Sequence, residues 1–301
     1  MPENLDLLVF GDIAIDYFYE VNRLPKINTA SEILRAYRFY GGMGANTAVI
    51  SSKLGLKTGL VSAIGTDAED YKKYLESNGI RLFLKEIVDT ACSIFFKSSK
   101  GEISFFHKSA AEELDRIIPG KDFSAGVIKN SKVIYLARTY LNLQKRILKF
   151  CKNKFLVYNP GYGIFKFDKI PKDFYRIIKR TNVLILNENE MEYLKRIGFK
   201  IDFKSGPDAL LITKGKYGCS IYSKDLKINV PAYMVKVIDA SGAGDSFNAG
   251  FVAARIKGYN TYNSVKIGNA TASFIIEKWG CQTNIPTWNK VIGRYKRIKD
   301  E

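Results

Sequence analysis

Short apolar segments rich in β-formers recur along this chain with helical patterns between them, and that alternation limits the folds open to it. The strand-like runs are Leu7 to Phe10, Gly59 to Ile64, Lys132 to Leu136, Phe155 to Tyr158, Val183 to Leu186 and Leu210 to Thr213. Helical spacing falls over Ala45 to Leu54, Ala68 to Ser77, Leu141 to Cys151, Glu188 to Arg196, Ala243 to Ile256 and Thr261 to Glu277. Neighbouring parallel strands need a crossover between them, so this pattern predicts an α/β fold with a mostly parallel sheet. In such sheets ligands bind at the carboxyl ends of the strands.

Two regions interrupt the alternation. Residues Ile13 to Tyr40 are aromatic and extended in character, and Ser93 to Lys108 reads as two strand-like runs around a Ser-Ser-Lys-Gly turn, a hairpin. Together, over approximately 13–40 and 93–108, they are expected to form a small sheet projecting from the main body as a lid that keeps water from a reaction beneath it. An ordinary edge extension of the main sheet is the other reading. No repeat, low-complexity tract or interdomain linker divides residues 1–301, which are read as one domain.

Composition excludes several classes. With 46% apolar residues the chain can bury a large core, and no run approaches the roughly 18 apolar residues a membrane helix needs. No leader-like segment is evident at the start, so the expected location is cytoplasmic. Cys92, Cys151, Cys219 and Cys281 are far apart, which suits thiols packed in a core better than a zinc site or a disulfide framework. The formal charge of +17 attracts anions without naming one. The basic run Gly293 to Lys299 is read as a solvated helix face, and no nucleic-acid or membrane partner is expected.

The stretch Val237 to Gly250, VIDASGAGDSFNAG, carries the chemistry. Its first residues read as a buried strand end, and Phe247, Phe251 and Ala254 continue at helical spacing. Between them, Gly242 and Gly244 let backbone N–H groups at a helix start approach an anion, with Asp245 alongside. Asp245 is thus either a catalytic base or a helix cap.

The string Asp239, Ala240, Ser241, Gly242, Ala243, Gly244, Asp245 resembles the D-[TS]-x-G-A-G-D motif of the ribokinase-like sugar and nucleoside kinases, the PfkB family. Gly41 to Asn46, GGMGAN, resembles that family's other glycine motif, and GDIAID with Asp16 its opening strand. VLILNENE resembles its N-x-x-E motif, LITKGKYG its nucleotide-side turn, and Asn269 with the segment Trp279 to Pro286 its adenine-side region. The resemblance spans Gly11 to Pro286 and implies a three-layer α/β/α domain with a β-sheet lid, acting as an ATP-dependent kinase.

Carried onto this chain, the resemblance makes Asp245 the general base and Gly242, Ala243 and Gly244 an anion hole. Asp16, Gly42 and Asn46 hold the acceptor. Asn187, Thr213, Gly215 and Asn269 hold the nucleotide, and Glu190 holds Mg²⁺ through water. Asp239 and Ser241 match positions for a monovalent cation such as K⁺, and a homodimer through the lid is implied. Residues Asn28 to Val49 look like the archaeal nucleoside kinases of the family, whose acceptor is a ribose 5′-hydroxyl. Ala14 stands where ribokinases commonly carry Asn. A sugar or sugar-acid kinase is the alternative, since Met43 and Gly44 keep the ribokinase form and Arg138 suits a carboxylate. Arg138 can equally be an ion-pair partner, and His107, the only histidine, a packing residue or at most a substrate contact.

There is no G-x-x-x-x-G-K-[ST] for a P-loop, and the first strand ends in GDIAID rather than a dinucleotide-binding G-x-G-x-x-G.

Overall fold

Alternate side chains along each central strand enter two different cores. Val133, Tyr135 and Ala137 pack on one side of the sheet, Ile134 and Leu136 on the other, and Val183 with Ile185 opposes Leu184 with Leu186 in the same way. Strands buried on both faces must be near-continuously apolar, which is why these runs stood out in the sequence.

The structure, a computed structural model, describes residues 4–297. Its strands are β1 (Leu5–Phe10), β2 (Ala14–Val21), β3 (Ile33–Gly41), β4 (Thr58–Gly65), β5 (Arg81–Ile87), β6 (Ala91–Ser98), β7 (Gly101–His107), β8 (Ser131–Ala137), β9 (Phe155–Asn159), β10 (Val183–Asn187), β11 (Ala209–Thr213), β12 (Cys219–Tyr222) and β13 (Lys227–Val230). The helices are α1 (Met43–Lys53), α2 (Glu69–Ser77), α3 (Ala110–Glu113), α4 (Gly126–Lys129), α5 (Leu141–Leu148), α6 (Lys172–Arg180), α7 (Glu188–Arg196), α8 (Ala243–Ile256), α9 (Thr261–Ile275) and α10 (Trp288–Tyr295).

A nine-stranded sheet runs β13-β12-β11-β10-β9-β8-β1-β4-β5. It is parallel from β11 to β5, with β12 and β13 added antiparallel at one edge. Helices α1, α2, α8 and α9 contribute to the core on one face, and α5, α6 and α7 to the core on the other. The chain leaves β1 toward α1 on the first face and leaves β8 toward α5 on the second. The crevice between the carboxyl ends of β1 and β8 is therefore a topological switch point, where ligands of open α/β sheets bind.

The four-stranded lid sheet, β3-β2-β6-β7, is separate. Its outer pairs are antiparallel and its central pair, β2 with β6, is parallel. Phe18 at its centre stacks on Phe95 at 4.4 Å and meets Phe39 and Trp279 edge-on.

Two sequence expectations need correction, and a third holds only in part. Val237 and Ile238 do not end a buried strand: they are 57% and 41% exposed, and the N–H groups of Ile238 and Asp239 donate to the Ile276 carbonyl beyond α9. The approach to α8 is thus an extended segment tied to another helix, because the sheet has already closed with the β12–β13 hairpin. Trp279 lies against the lid, stacked on Tyr37 with the Lys97 ammonium 4.6 Å from its ring centre, rather than on the side of Asn269. Its large apolar face is taken up by the lid aromatics. The basic run Gly293 to Lys299 includes Ile298 and Lys299, which lie outside the described residues; Arg294 within it is not free but pairs with Glu277 at 3.2 Å.

All four thiols are free, with Cys151, Cys219 and Cys281 buried. Among the described residues no helix is long and apolar enough to cross a membrane.

Candidate active site

Two glycine-started helices meet at the switch point. Gly242, with φ of 73°, turns the chain into α8, and a Cβ there would lie 2.8 Å from the Cys281 side chain, so only glycine fits. The amide of Ala243 closes this turn onto the Ala240 carbonyl at 3.2 Å. The next two amides, of Gly244 and Asp245, have no acceptor among the described residues and belong to the first turn of the helix. The Gly242 amide likewise has no acceptor among the described residues, so within the Gly242–Gly244 string only Ala243 is spent, and Asp245 adds a further open donor.

Asp245 is 8% exposed, and its Oδ2 accepts from Nδ2 of Asn46 on α1 at 2.9 Å. The Oδ1 of Asn46 accepts in turn from Gln282 Nε2 at 2.8 Å, and that nitrogen also reaches the Tyr71 hydroxyl at 2.8 Å. Burial pushes the Asp245 carboxyl up to about 7, with the Asn46 bond opposing and the negative charges of Asp12 and Asp16 adding to it. Asp16, 6% exposed on β2, is likewise pushed by burial to about 7, eased by a bond from Ser93 and raised further by Asp12 and Asp239. A Cβ on Gly41 would fall 2.0 Å from Asp16 Oδ2; the glycine makes room for that carboxylate.

Asp12, in the GDIAID string, carries no mark of its own in the sequence, and the structure makes it central. It is 1% exposed and ion-paired with Arg138, which follows β8 and stacks its guanidinium 3.9 Å from the Phe106 ring centre on β7. Arg138 thus spans core and lid and is a buried partner rather than a surface one. Its backbone has φ of 65°, unusual outside glycine. Asp12 Oδ1 has no hydrogen-bond partner, so the pair leaves one acceptor over. The argument applied to Asp16, an acid among apolar strand residues, would have found Asp12 as well.

Asn187, Glu190, Thr213, Gly215 and Asn269 line one cavity of about 450 Å³ together with Gly242, Gly244 and Asp245. Asn187 caps α7: its side chain accepts from the Glu190 amide at 2.8 Å while Glu190 Oε2 accepts from the Asn187 amide at 2.9 Å. The cap and the cavity lining are the same residues, so capping α7 leaves Asn187 and Glu190 on the cavity wall. Burial holds the Glu190 carboxyl above its ordinary value. Nδ2 of Asn269 is spent on the carbonyls of Val230 and Pro231, anchoring the end of β13. Both Asp239 oxygens accept backbone N–H groups, from Ser241 and Gly280 at 3.0 Å each. On the cavity wall, Asn248 donates to the Tyr135 hydroxyl at 2.7 Å and to Asn159 at 3.1 Å, a network not foreseen from the sequence.

The structure does not bring His107 into the site; it is exposed on β7, opposite Cys92 in register. Among the described residues no group of three or more His, Cys, Asp or Glu is arranged to hold a metal ion.

The profile of the pfkB family carbohydrate kinases matches residues 4–288. The chain belongs to that family. This kinase is 38% identical over 298 residues to the nucleoside kinase of Methanocaldococcus jannaschii, with 95% of each chain aligned. It is 33% identical over 310 residues to the nucleoside kinase of Methanothermobacter thermautotrophicus, covering 98% of this chain and 97% of that one. The crystal structure of the M. jannaschii enzyme, an archaeal member of the ribokinase family, matches the kinase with a TM-score of 0.86 and 35% identity, over 98% of this chain and all of that one. A Burkholderia thailandensis nucleoside kinase in complex with inosine shares the fold, with a TM-score of 0.84 at 21% identity over 97% of this chain and 98% of that one.

Proposed function

We propose that this kinase transfers the γ-phosphoryl group of ATP to the ribose 5′-hydroxyl of a nucleoside. The observation that carries the reading is the buried Asp245 carboxylate, fixed by Asn46 at the start of α8 beside two amides with no acceptor. The similarity to two archaeal nucleoside kinases supports the acceptor.

The chain's own part is positioning and electrostatics. Asp245, poised near neutral pH, accepts the acceptor's proton. The amides of Gly244 and Asp245 and the positive end of α8 face the charge that spreads over the transferring group. Asp16 and Asn46 take the acceptor's hydroxyls, while Thr213, Gly215 and Asn187 border the nucleotide phosphates. Glu190 lines that cavity as a buried carboxylate on the nucleotide side, with Asp245 the other, which fits Mg²⁺ held mostly by water and phosphates. That ion would neutralise phosphate charge. Asp239 and Ser241 are proposed for a monovalent cation, through the lone pairs that the two backbone bonds leave on Asp239.

Residues 1–301 are proposed to work as one domain, with the lid at 13–40 and 93–108 closing over the acceptor. Ile33, Leu34, Ile103 and Phe105 are exposed on that lid and support a homodimer formed through it, which light scattering would test. A cytoplasmic location is proposed on the free thiols.

The deciding experiment measures ATP- and Mg²⁺-dependent transfer to nucleosides, ribose, fructose and 2-keto-3-deoxygluconate, with Asp245→Asn as control. Nucleoside turnover lost in the variant is expected; transfer confined to a sugar overturns the acceptor, and full activity of the variant overturns the base.

A further inference from the structure

A second and larger cavity, of about 720 Å³, opens on the lid side of the site. It adjoins the catalytic one, since Tyr162 lines both, and Arg138 forms part of its wall. It therefore lies where the part of an acceptor remote from the reacting hydroxyl would extend.

The carboxylates around it are already engaged. Asp115 is used by the amides of Asn142 and Leu143, at 2.8 and 3.1 Å, at the start of α5. Asp173 holds Lys145 at 2.7 Å and Arg176 at 2.8 Å. Glu112 holds Lys108 at 2.9 Å. Lys166, at the end of the short helical turn Gly161–Lys166, has no ion pair among the described residues. The Lys108 ammonium, which lines the same cavity, pushes Lys166 below its ordinary value. Lys108 follows lid strand β7 and Lys166 belongs to the core, so two like charges from lid and core line one cleft, and Glu112 is the carboxylate that acts on both. Such an arrangement gains most from a ligand that brings acceptor oxygens or negative charge, and loses from one that brings further N–H donors.

We infer that Lys108 and Lys166 are specificity-determining residues that select acceptors whose remote end presents carbonyl oxygens, an oxo-bearing nucleobase rather than one with an amino edge. The inference rests on the nucleoside reading and deepens it. One lysine follows the lid and the other belongs to the core, so a carbonyl group held by both bridges lid to core, and closure over the acceptor is coupled to recognition of its base.

The test compares kcat/KM for inosine, uridine, adenosine and purine riboside, which lacks the exocyclic group, in the wild type and in Lys108→Met, Lys166→Met and the double variant. In the wild type, inosine and uridine are expected to exceed adenosine tenfold or more. In the double variant the ratio of inosine to purine riboside is expected to fall tenfold or more, and Lys166→Arg to restore most of it. Thermal melts establish that each variant folds, and Lys166→Gln serves where the methionine form does not. Nucleoside turnover with adenosine preferred, or with discrimination unchanged in the double variant, overturns this inference alone. Turnover of free sugars and of no nucleoside overturns the nucleoside reading and this inference with it.

Discussion

The side-chain amide of Asn46 donates to the carboxylate of Asp245 across 2.9 Å, joining residues 199 positions apart. Each sits in the first turn of a glycine-started helix, α1 or α8, and the bond fixes the orientation of the acid against the open amides of its own helix. Asp245→Asn is expected to keep the fold, since it preserves shape and one acceptor oxygen, and to lose about 10²–10⁴ in kcat, the usual worth of a positioned base. Circular dichroism and steady-state rates check it.

Because the Asn46 bond opposes the upward push of burial on Asp245, removing it should raise that group further. The acid limb of the kcat/KM profile, expected near pH 7 in the wild type, should move to higher pH in Asn46→Ala. A pH profile whose limb stays in place would separate Asn46 from the base.

Stability should depend on pH with an unusual sign. Asp16 and Asp245 have ordinary values of 3.8 when unfolded and are held up to about 7 in the fold. Between those limits the native state binds more protons than the unfolded chain, so stability falls as pH rises from about 4 to about 7 and levels above. Asp245→Asn removes part of that slope and should melt no lower than the wild type at pH 8. Thermal melts from pH 4 to 8 would show it.

The glycines before Asp245 should separate by role. Gly242→Ala meets the Cys281 side chain at 2.8 Å in a left-handed backbone and should cost about 2–5 kcal/mol in urea unfolding. An added Cβ on Gly244 meets nothing within 4 Å, so Gly244→Ala should fold as the wild type does. Its methyl group would nonetheless stand in the cavity that Gly244 lines, and turnover should fall while stability does not.

The Asp12–Arg138 pair should couple strongly. Arg138→Met leaves a buried acid uncompensated, a change that typically costs about 3–5 kcal/mol, and Asp12→Asn added to it should recover much of the loss. A double-mutant cycle in denaturant measures the coupling.

Much of this architecture was readable because burial on both faces makes parallel strands continuously apolar, and because glycine turns at helix starts carry a local signature. Helices α7 and α8 ran over the expected residues. Strands β12 and β13, of four residues each, were too short to signal themselves. Val237 and Ile238 misled because apolarity alone does not report what covers a residue. The partnership of Asp12 with Arg138 was hidden for a different reason: it depends on β1 lying beside β8, a neighbour set by strand order and 126 positions away. Trp279 was assigned to the nucleotide side, whereas only the folded lid shows which aromatics receive it.

Gln282 holds Asn46 and Tyr71 with a single nitrogen, so the far end of the sequence props the residue that aims the base. During translation, the helix bearing Asn46 emerges from the ribosome some two hundred residues ahead of its prop. A chain that stops short of residue 282 therefore lacks the side chain that braces Asn46, and is expected to hold Asp245 less firmly.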